Sequence, residues 1–214
     1  ETLGCATVIC SDKTGTLTRN KLTVTKVWAG GEEYAVPGTK EQVKNDTELP
    51  APMKRLLEIG TLCNNAQLEP EGKDFTVIGD PTEGAILAAT ATYNITTNEI
   101  SREYRREGEI PFSSERKRMG VWVKDGNGNR WLMVKGAADV ILERSTQLHN
   151  NDALVALDTT LKLKIKQQID TWGAEALRVL AFAYRPTLPG ESKESKARDW
   201  EQELIFSGLM GMTD

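Results

Sequence analysis

Ser11-Asp12-Lys13-Thr14-Gly15-Thr16-Leu17-Thr18 follows directly on a short apolar run, residues 6–10, whose β-branched side chains predict a buried strand. A carboxylate just after a buried strand lies at the carboxyl edge of a sheet, where α/β proteins place their chemistry. Gly15 permits a tight turn, and the backbone N–H groups and threonine hydroxyls around it can bind phosphate oxygens. Since Lys13 adds positive charge beside a transferring group, we infer that Asp12 is a nucleophile that forms an aspartyl phosphate.

The seven residues 12–18, DKTGTLT, resemble the phosphorylation signature of P-type ATPases, within the haloacid-dehalogenase-like superfamily. An isolated DKTG could equally be a turn between two strands, but the full match favours the resemblance. The wider sequence of residues 1–21 is similar to the subgroup that pumps calcium and related cations. By this resemblance, Asp12 accepts the γ-phosphate of ATP. Thr14 would supply a backbone carbonyl to Mg²⁺ and a hydroxyl to the phosphate, so Asp12 and Thr14 are the expected Mg²⁺ ligands.

Thr14 also favours a pump over a simple phosphatase. In related phosphatases, the residue two positions after the nucleophile is a second aspartate that acts as general acid and base. Threonine cannot transfer protons near neutral pH. The acyl phosphate is therefore expected to persist until another domain brings a base, as a pump requires to couple hydrolysis to a conformational change.

The composition is that of a globular protein: the 214 residues are 39% hydrophobic and 27% charged, with a net charge of −4. This charge does not favour a nucleic-acid surface, and we expect a monomer that binds no nucleic acid. The apolar runs, such as residues 179–184, are much shorter than the ~20 residues that span a bilayer. Three widely spaced cysteines, Cys5, Cys10 and Cys63, predict reduced thiols. A single histidine, His149, without a CxxC motif predicts no zinc site.

Hydrophobic periodicity and turn signals divide the chain into strands and helices. Strands are predicted at residues 6–10, 22–29, 32–36, 75–78, 178–184 and 204–212, with three more across residues 109–136. Helices are predicted at residues 53–62, 80–92, 97–106, 136–144 and 159–177. Antiparallel strands with helices beside them indicate an α+β domain with a mostly antiparallel sheet.

The two terminal strands, residues 6–10 and 204–212, are apolar, and each would need a sheet supplied by another part of the protein. By the resemblance, they are stubs of a haloacid-dehalogenase-like α/β phosphorylation domain. We therefore expect residues 1–20 to belong to that domain. Residues 21–211 would form the nucleotide-binding domain, and residues 212–214 a hinge that returns to the phosphorylation domain.

The segment GDPTEGA, residues 79–85, predicts the start of a helix. Asp80 as N-cap, Pro81 at the first helical position and Glu83 at the third form a capping-box-like pattern. In the family that the chain resembles, the matching glutamate reaches the amino group of adenine. Glu83 is therefore either a helix cap or a contact to the base of ATP.

The segment IPFSSERKRM, residues 110–119, places an aromatic ring beside basic residues on a strand edge. This arrangement suits an adenine ring followed by phosphates. Taken without the family, Phe112 could instead be a core residue, with residues 116–118 forming a solvated turn. By the resemblance, Phe112 stacks on adenine, and Lys117 and Met119 line the pocket.

The segment MVKGA, residues 133–137, ends an apolar strand just before a helix N-terminus, which is a natural anion site. Gly136 would let the backbone approach a ligand closely. The alternative is that Lys135 is an exposed lysine before a turn. By the resemblance, Lys135, Gly136 and Ala137 bind the nucleotide, and Arg178 contacts its phosphates. From the sequence alone, Arg178 would be an ordinary surface arginine.

Taken together, the resemblance implies the ATP-binding and phosphoryl-acceptor segment of a cation pump, on the cytoplasmic face of a membrane. ATP and Mg²⁺ are the implied cofactors, and the other phosphorylation, actuator and transmembrane domains of the pump are the implied partners. The family's later Mg²⁺- and phosphate-binding motifs are expected beyond Asp214, which would make the chain a fragment. The alternatives are a soluble haloacid-dehalogenase-like phosphatase and a module that only binds nucleotide. Calcium is the favoured ion, with Na⁺, K⁺, H⁺ and Mn²⁺ left open.

We predict that this polypeptide alone neither hydrolyses ATP at a useful rate nor holds a phosphoryl group on Asp12. Phosphoryl transfer needs Mg²⁺ between phosphate and nucleophile, with cations on the equatorial oxygens, and Asp12 and Thr14 supply only part of that shell. Incubation with γ-labelled ATP and Mg²⁺, followed by an acid quench, should leave no label on the protein. Label that hydroxylamine releases, and that the Asp12→Asn variant lacks, would show that the chain is catalytically self-sufficient.

Overall fold

A computed structural model of the chain describes residues 22–37, 48–71, 74–187, 191 and 200–214. The DKTGTLT motif lies outside these described residues, and so do its predicted catalytic residues Asp12, Lys13 and Thr14 and the strand predicted at residues 6–10. The fold and the site are therefore built from the residues that follow this motif.

Along the described chain, groups of two or three strands are separated by one or two helices. In order they are β1 (Thr23–Ala29), β2 (Glu32–Ala35), α1 (Ala51–Leu62), β3 (Gln67–Glu71), β4 (Asp74–Ile78), α2 (Pro81–Thr92), α3 (Thr97–Glu103), β5 (Tyr104–Ser113), β6 (Arg118–Asp125), β7 (Arg130–Ala137), α4 (Ala138–Glu143), β8 (Ser145–Asn150), β9 (Ala153–Ala156), α5 (Thr159–Ala174), β10 (Arg178–Pro186) and β11 (Leu204–Thr213).

Within the described residues, one nine-stranded sheet has the order β2-β1-β11-β10-β7-β6-β5, with β8 beside β11 and β9 beside β8. Strands β8 and β11 run parallel, and the other neighbours in this sheet are antiparallel. Strands β3 and β4 form a separate antiparallel hairpin. The predicted α+β class, with a mostly antiparallel sheet flanked by helices, is confirmed.

Helices cover both faces of the large sheet, and each face has its own hydrophobic core. One core contains the apolar sides of α1, α2 and α3 together with Phe182 and Met210 of the sheet. The other contains those of α4 and α5 together with Ala181 and Leu209. Neighbouring residues of a strand point to opposite faces, so β10 and β11 contribute alternate side chains to the two cores.

Strand β11 corrects one expectation from the sequence. An apolar run at residues 204–212 was expected to need a sheet from another part of the protein, but β11 pairs with β1, β10 and β8 inside this domain. Leu204 to Met212 are all buried. A strand covered on both faces reads as a continuous apolar run, and such a run does not reveal which sheet it joins.

Several element boundaries also differ from those predicted. The helix predicted at residues 97–106 ends at Glu103, and Tyr104 to Arg106 instead begin β5, where they pair with residues 123–125 of β6. A capping box between Thr96 and Glu99 starts this short helix. Helix α5 ends at Ala174 rather than at residue 177. Strands β3, β8 and β9 were not predicted. β3 and β8 have polar-rich sequences without a clear period of two, and β9 is only four residues long.

Glu33 ties helix α5 to the β1–β2 hairpin. Its Oε2 accepts hydrogen bonds from Trp172 Nε1 and Gln168 Nε2, both at 2.9 Å. Lys26 Nζ lies 3.4 Å from Glu33 Oε1 and donates to Glu175 Oε2 at 2.6 Å. The hydrogen bond from Trp172, with help from the charge of Lys26, lowers the pKa of Glu33 below its ordinary value of 4.5, although partial burial acts in the opposite direction.

This lowered pKa predicts a pH-dependent stability that Glu33→Gln should reduce. A carboxylate whose folded pKa is lowered stabilises the fold above its unfolded pKa, and this stabilisation is lost as the pH falls through the folded pKa. The difference in unfolding free energy between wild type and Glu33→Gln should therefore be largest near neutral pH and shrink below about pH 4.5. Urea unfolding at a series of pH values measures it.

Trp172→Phe is the companion variant, since it removes the hydrogen-bond donor but keeps an aromatic ring in the core. It should be less stable at every pH and should show the same weakened acid dependence. A Glu33→Gln difference that stays constant from neutral to acid pH would contradict the assigned role of Glu33.

Candidate functional site

A cleft of about 660 Å³ opens at one edge of the large sheet. Its walls come from the end of β5, the start of β6, the end of β7, the start of β10, the first turn of α2 and the loop after α1. All eight predicted nucleotide-binding residues line this one cleft: Glu83, Phe112, Lys117, Met119, Lys135, Gly136, Ala137 and Arg178. The structure thus brings together residues that are up to 95 positions apart in the chain.

Phe112 presents an aromatic ring to the cleft. The residue is 63% exposed, so the alternative that it belongs to the core is wrong. Met119, in contrast, is buried beneath the cleft and belongs to the core that contains α1 and α2. An exposed ring above a buried apolar floor is a surface on which a flat aromatic ligand can stack.

Glu83 and Lys135 form an ion pair in the cleft. Lys135 Nζ donates to Glu83 Oε1 at 2.5 Å, and the two side chains are 9% and 14% exposed. The alternative that Lys135 is an exposed surface lysine is therefore wrong. The second oxygen, Glu83 Oε2, accepts from the backbone N–H of Asn65 at 2.9 Å.

Asp80, not Glu83, caps helix α2. Asp80 Oδ1 accepts from the backbone N–H groups of Thr82 at 2.8 Å and Glu83 at 3.2 Å. The carboxylate of Glu83 is engaged by Lys135 and Asn65 instead. The capping interpretation of Glu83 thus does not describe the structure, and Lys135 and Asn65 hold its carboxylate at the cleft wall.

Asn65 and Glu109 line the cleft as well, and neither was predicted from the sequence. Asn65 Nδ2 donates to Glu109 Oε1 at 3.2 Å, and Arg106 Nη2 donates to Glu109 Oε2 at 2.5 Å. Arg106 also donates to the carbonyl of Asn64 at 2.9 Å. This network fastens the loop after α1 to β5. The only sequence signal for it is a pair of asparagines that follows a predicted helix.

Packing inside the protein requires glycine at position 136. A Cβ added at Gly136 would lie 2.6 Å from the carbonyl oxygen of Lys117 and 2.6 Å from Cβ of Arg118. The space that this Cβ would occupy is thus already filled by the protein's own atoms. Lys117 has a φ of 54° at this close contact. The backbone N–H of Ala137 donates to the carbonyl of Lys117 at 2.9 Å.

Arg178 and Thr82 meet at the mouth of the cleft. Arg178 Nη1 donates to Thr82 Oγ1 at 2.9 Å, which holds the guanidinium next to the N-terminus of α2. With Lys117 and Lys135, Arg178 gives the cleft three cationic side chains. A cleft with an exposed ring, a carboxylate acceptor and several cations can bind a molecule that joins an aromatic base to an anionic group.

Cys63 lies beneath the cleft, at the end of α1. It is fully buried, and its Sγ is 3.5 Å from the carbonyl oxygens of Met119 and Met133. Burial raises the pKa of the thiol to about 12, so Cys63 stays protonated and acts as a small packing residue.

Neither a clustered metal site nor a membrane-spanning helix is found among the residues that the structure describes. Among them, no group of three or more His, Cys, Asp or Glu side chains is placed to hold a metal ion. No helix in these ranges is long and apolar enough to cross a bilayer. The predicted Mg²⁺ ligands, Asp12 and Thr14, lie outside the described ranges.

Comparison with known proteins adds independent information. Residues 52–214 match the family described as "P-type ATPase, cytoplasmic domain N". The chain is 37% identical to a calcium-transporting ATPase of Bacillus subtilis, an alignment that covers 100% of this chain and 25% of the relative. It is 38% identical to the cation-transporting ATPase pma1 of Synechocystis, with 100% and 25% covered. It is also 38% identical to the calcium-transporting ATPase lmo0841 of Listeria monocytogenes, with 100% and 23% covered. The chain thus spans about a quarter of the length of these curated relatives.

Because the space beside Gly136 is already filled, we predict that Gly136→Ala destabilises the domain by ~1–3 kcal/mol, as overpacking does. The added methyl group would push against the backbone of Lys117 and shift the amide resonances of Lys117 and Ala137. Gly126→Ala is the matched control, because a Cβ at Gly126 meets nothing within 4 Å. Urea unfolding and amide NMR spectra measure both effects. Equal stability of the two variants would refute this account of Gly136.

Proposed function

The chain belongs to the family of P-type ATPase cytoplasmic N domains, and from this premise we propose that it binds ATP in the described cleft on behalf of a calcium-transporting pump. The observation that carries this proposal is the meeting of an exposed ring, Phe112, with the Glu83–Lys135 pair in one cleft. Each of these features matches a different part of ATP.

Phe112 is the proposed stacking partner of adenine. Base–aromatic stacking is worth ~1–3 kcal/mol per base, and the ring is already exposed at the cleft wall. Glu83 is the proposed acceptor for the 6-amino group of the base. Its position is supported by the hydrogen bond from Asn65 and the ion pair with Lys135, which hold the carboxylate in place before the ligand arrives.

Lys117 and Arg178 are the proposed partners of the phosphates, while Lys135 stays paired with Glu83 beside the base. Both phosphate partners line the cleft, and Arg178 is held beside the N-terminus of α2 by Thr82. Cationic side chains favour an anion at such a place. Met119, Gly136 and Ala137 contribute the floor and the backbone around these groups.

The activity of the whole pump is part of the same proposal. Asp12 is the proposed acceptor of the γ-phosphate, assisted by Lys13, and Asp12 and Thr14 are the proposed Mg²⁺ ligands. The other domains of the pump would be the partners of this one. The connections would run through residues 1–20 and through residues 212–214, of which Met212 and Thr213 end β11. Calcium is the proposed cargo because two of the named relatives are calcium-transporting ATPases.

ATP titration followed by amide NMR tests the proposal. One aromatic stack and a few cations predict weak binding, with a Kd of roughly 0.1 to several mM, or about −5.5 to −3.5 kcal/mol. Amides of Glu83, Phe112 and Lys135 should shift in a saturable way. Phe112→Ala should lose ~1–3 kcal/mol of binding while its melting temperature stays close to that of the wild type, because the ring is exposed.

Leu163→Ala is the matched control for Phe112→Ala. Leu163 is also a large exposed apolar residue, 58% accessible, but it lies on α5 and does not line the cleft. Its removal should leave ATP affinity unchanged. Shifts confined to other regions of the domain, or an equal loss of affinity in the two variants, would refute the assignment of this cleft.

A further inference from the structure

Residues 111–118, here called the β5–β6 loop, comprise the end of β5, the turn at residues 114–117 and the first residue of β6. They carry both Phe112 and Lys117. The side chain of Arg116 forms hydrogen bonds with both ends of this loop. Its Nη2 donates to the carbonyl of Pro111 and, at 3.3 Å, to the carbonyl of Arg118. One planar guanidinium therefore fixes the separation between the two ends of the loop.

Arg116 is in turn anchored by a buried carboxylate from a distant part of the chain. Arg116 Nη1 donates to Glu201 Oε2 at 2.5 Å, and Arg118 Nε donates to the same oxygen at 2.7 Å. Glu201 is 2% exposed and Arg118 is 4% exposed. Charge-assisted hydrogen bonds of this kind, shielded from water, are short and orient their partners strongly.

Glu201 itself is held in place through its backbone. Its carbonyl accepts from Arg144 Nη1 at 3.1 Å, and the carbonyl of Arg144 accepts from the backbone N–H of Leu204 at 3.0 Å. Arg144 follows α4, and Leu204 begins β11. Glu201, which anchors the loop, is thus connected through Arg144 to β11 in the large sheet.

We infer that Arg116 and Glu201 are positioning residues for nucleotide binding: together they fix residues 111–118 so that Phe112 and Lys117 both face the cleft. Neither Arg116 nor Glu201 is among the residues that line the cleft, so they act through the loop rather than on the ligand. This inference rests on the proposed ATP-binding function.

Arg116→Lys is the test variant, because it keeps the positive charge and so does not change the attraction of the domain for phosphates. A lysine ammonium cannot reach Pro111, Arg118 and Glu201 together as the guanidinium does. ATP affinity should fall about tenfold, or ~1.4 kcal/mol. Without ATP, hydrogen exchange should accelerate at the amides of Lys117 and Ala137, which donate to Ser113 and Lys117.

Arg55→Lys is the matched control. Arg55 is also a partly buried arginine, 21% exposed, that pairs with a buried glutamate, Glu58, at 3.0 Å. Neither residue lines the cleft. This control should leave ATP affinity and the two amide exchange rates at their wild-type values, even if it lowers the melting temperature. Glu201→Gln is a second variant that should weaken ATP binding in the same direction as Arg116→Lys.

The outcomes separate this inference from the proposed function. A wild-type domain that shows no saturable ATP shift overturns the proposed function, and with it the claim that these residues serve nucleotide binding. If the wild type binds ATP but Arg116→Lys binds it equally well, only the positioning inference is overturned. Weaker binding with unchanged amide exchange also overturns it, because Arg116 would then act on the nucleotide directly. Weaker binding together with faster exchange at Lys117 and Ala137 supports it.

Discussion

Burial of β11 on both faces is the constraint from which the architecture follows. Residues Leu204 to Met212 have no exposed side, and the strand pairs with β10 on one edge and β1 on the other. Because neither face of the strand meets water, helices have to cover both, and α1–α3 and α4–α5 form these two layers. Fully burying one large apolar side chain contributes ~1.5–3 kcal/mol, so a strand of this kind dominates the stability of the sheet around it.

The order of the strands then places the cleft. β7 lies between β6 and β10, and its register pairs Gly136 with Arg118 and Ala137 with Leu180. In an antiparallel sheet, the end of one strand meets the start of each neighbour. Residues from three separate segments therefore share one edge, and Lys135 lies between the turn that carries Lys117 and the start of β10. The cleft is a product of sheet order and not of any one local motif.

This origin explains what could be predicted from the sequence. Helix α1 was predictable from its apolar periodicity and α2 from the Asp80 cap, because both signals are local. The cleft residues were predictable through motifs shared with a known family. Glu109 and Asn65 were missed, since their contact joins positions 44 residues apart. The position of β11 inside the sheet of this domain was not predicted, because an apolar run does not indicate which strands it pairs with. The packing reason for glycine at position 136 was not predictable, because its close partner, the backbone of Lys117, is visible only in three dimensions.

Two acidic residues at the start of α2, Asp80 and Glu83, have different roles. Asp80 satisfies the free N–H groups of the helix, and Glu83 is released to face Lys135 and Asn65. The two positions are consequently free to diverge separately during evolution. Serine, threonine or asparagine can replace Asp80 with little effect on the helix, since all of them accept the same hydrogen bonds. A change at Glu83 would instead remove the carboxylate that Lys135 and Asn65 share, so this wall of the cleft can change in a lineage without rebuilding the helix.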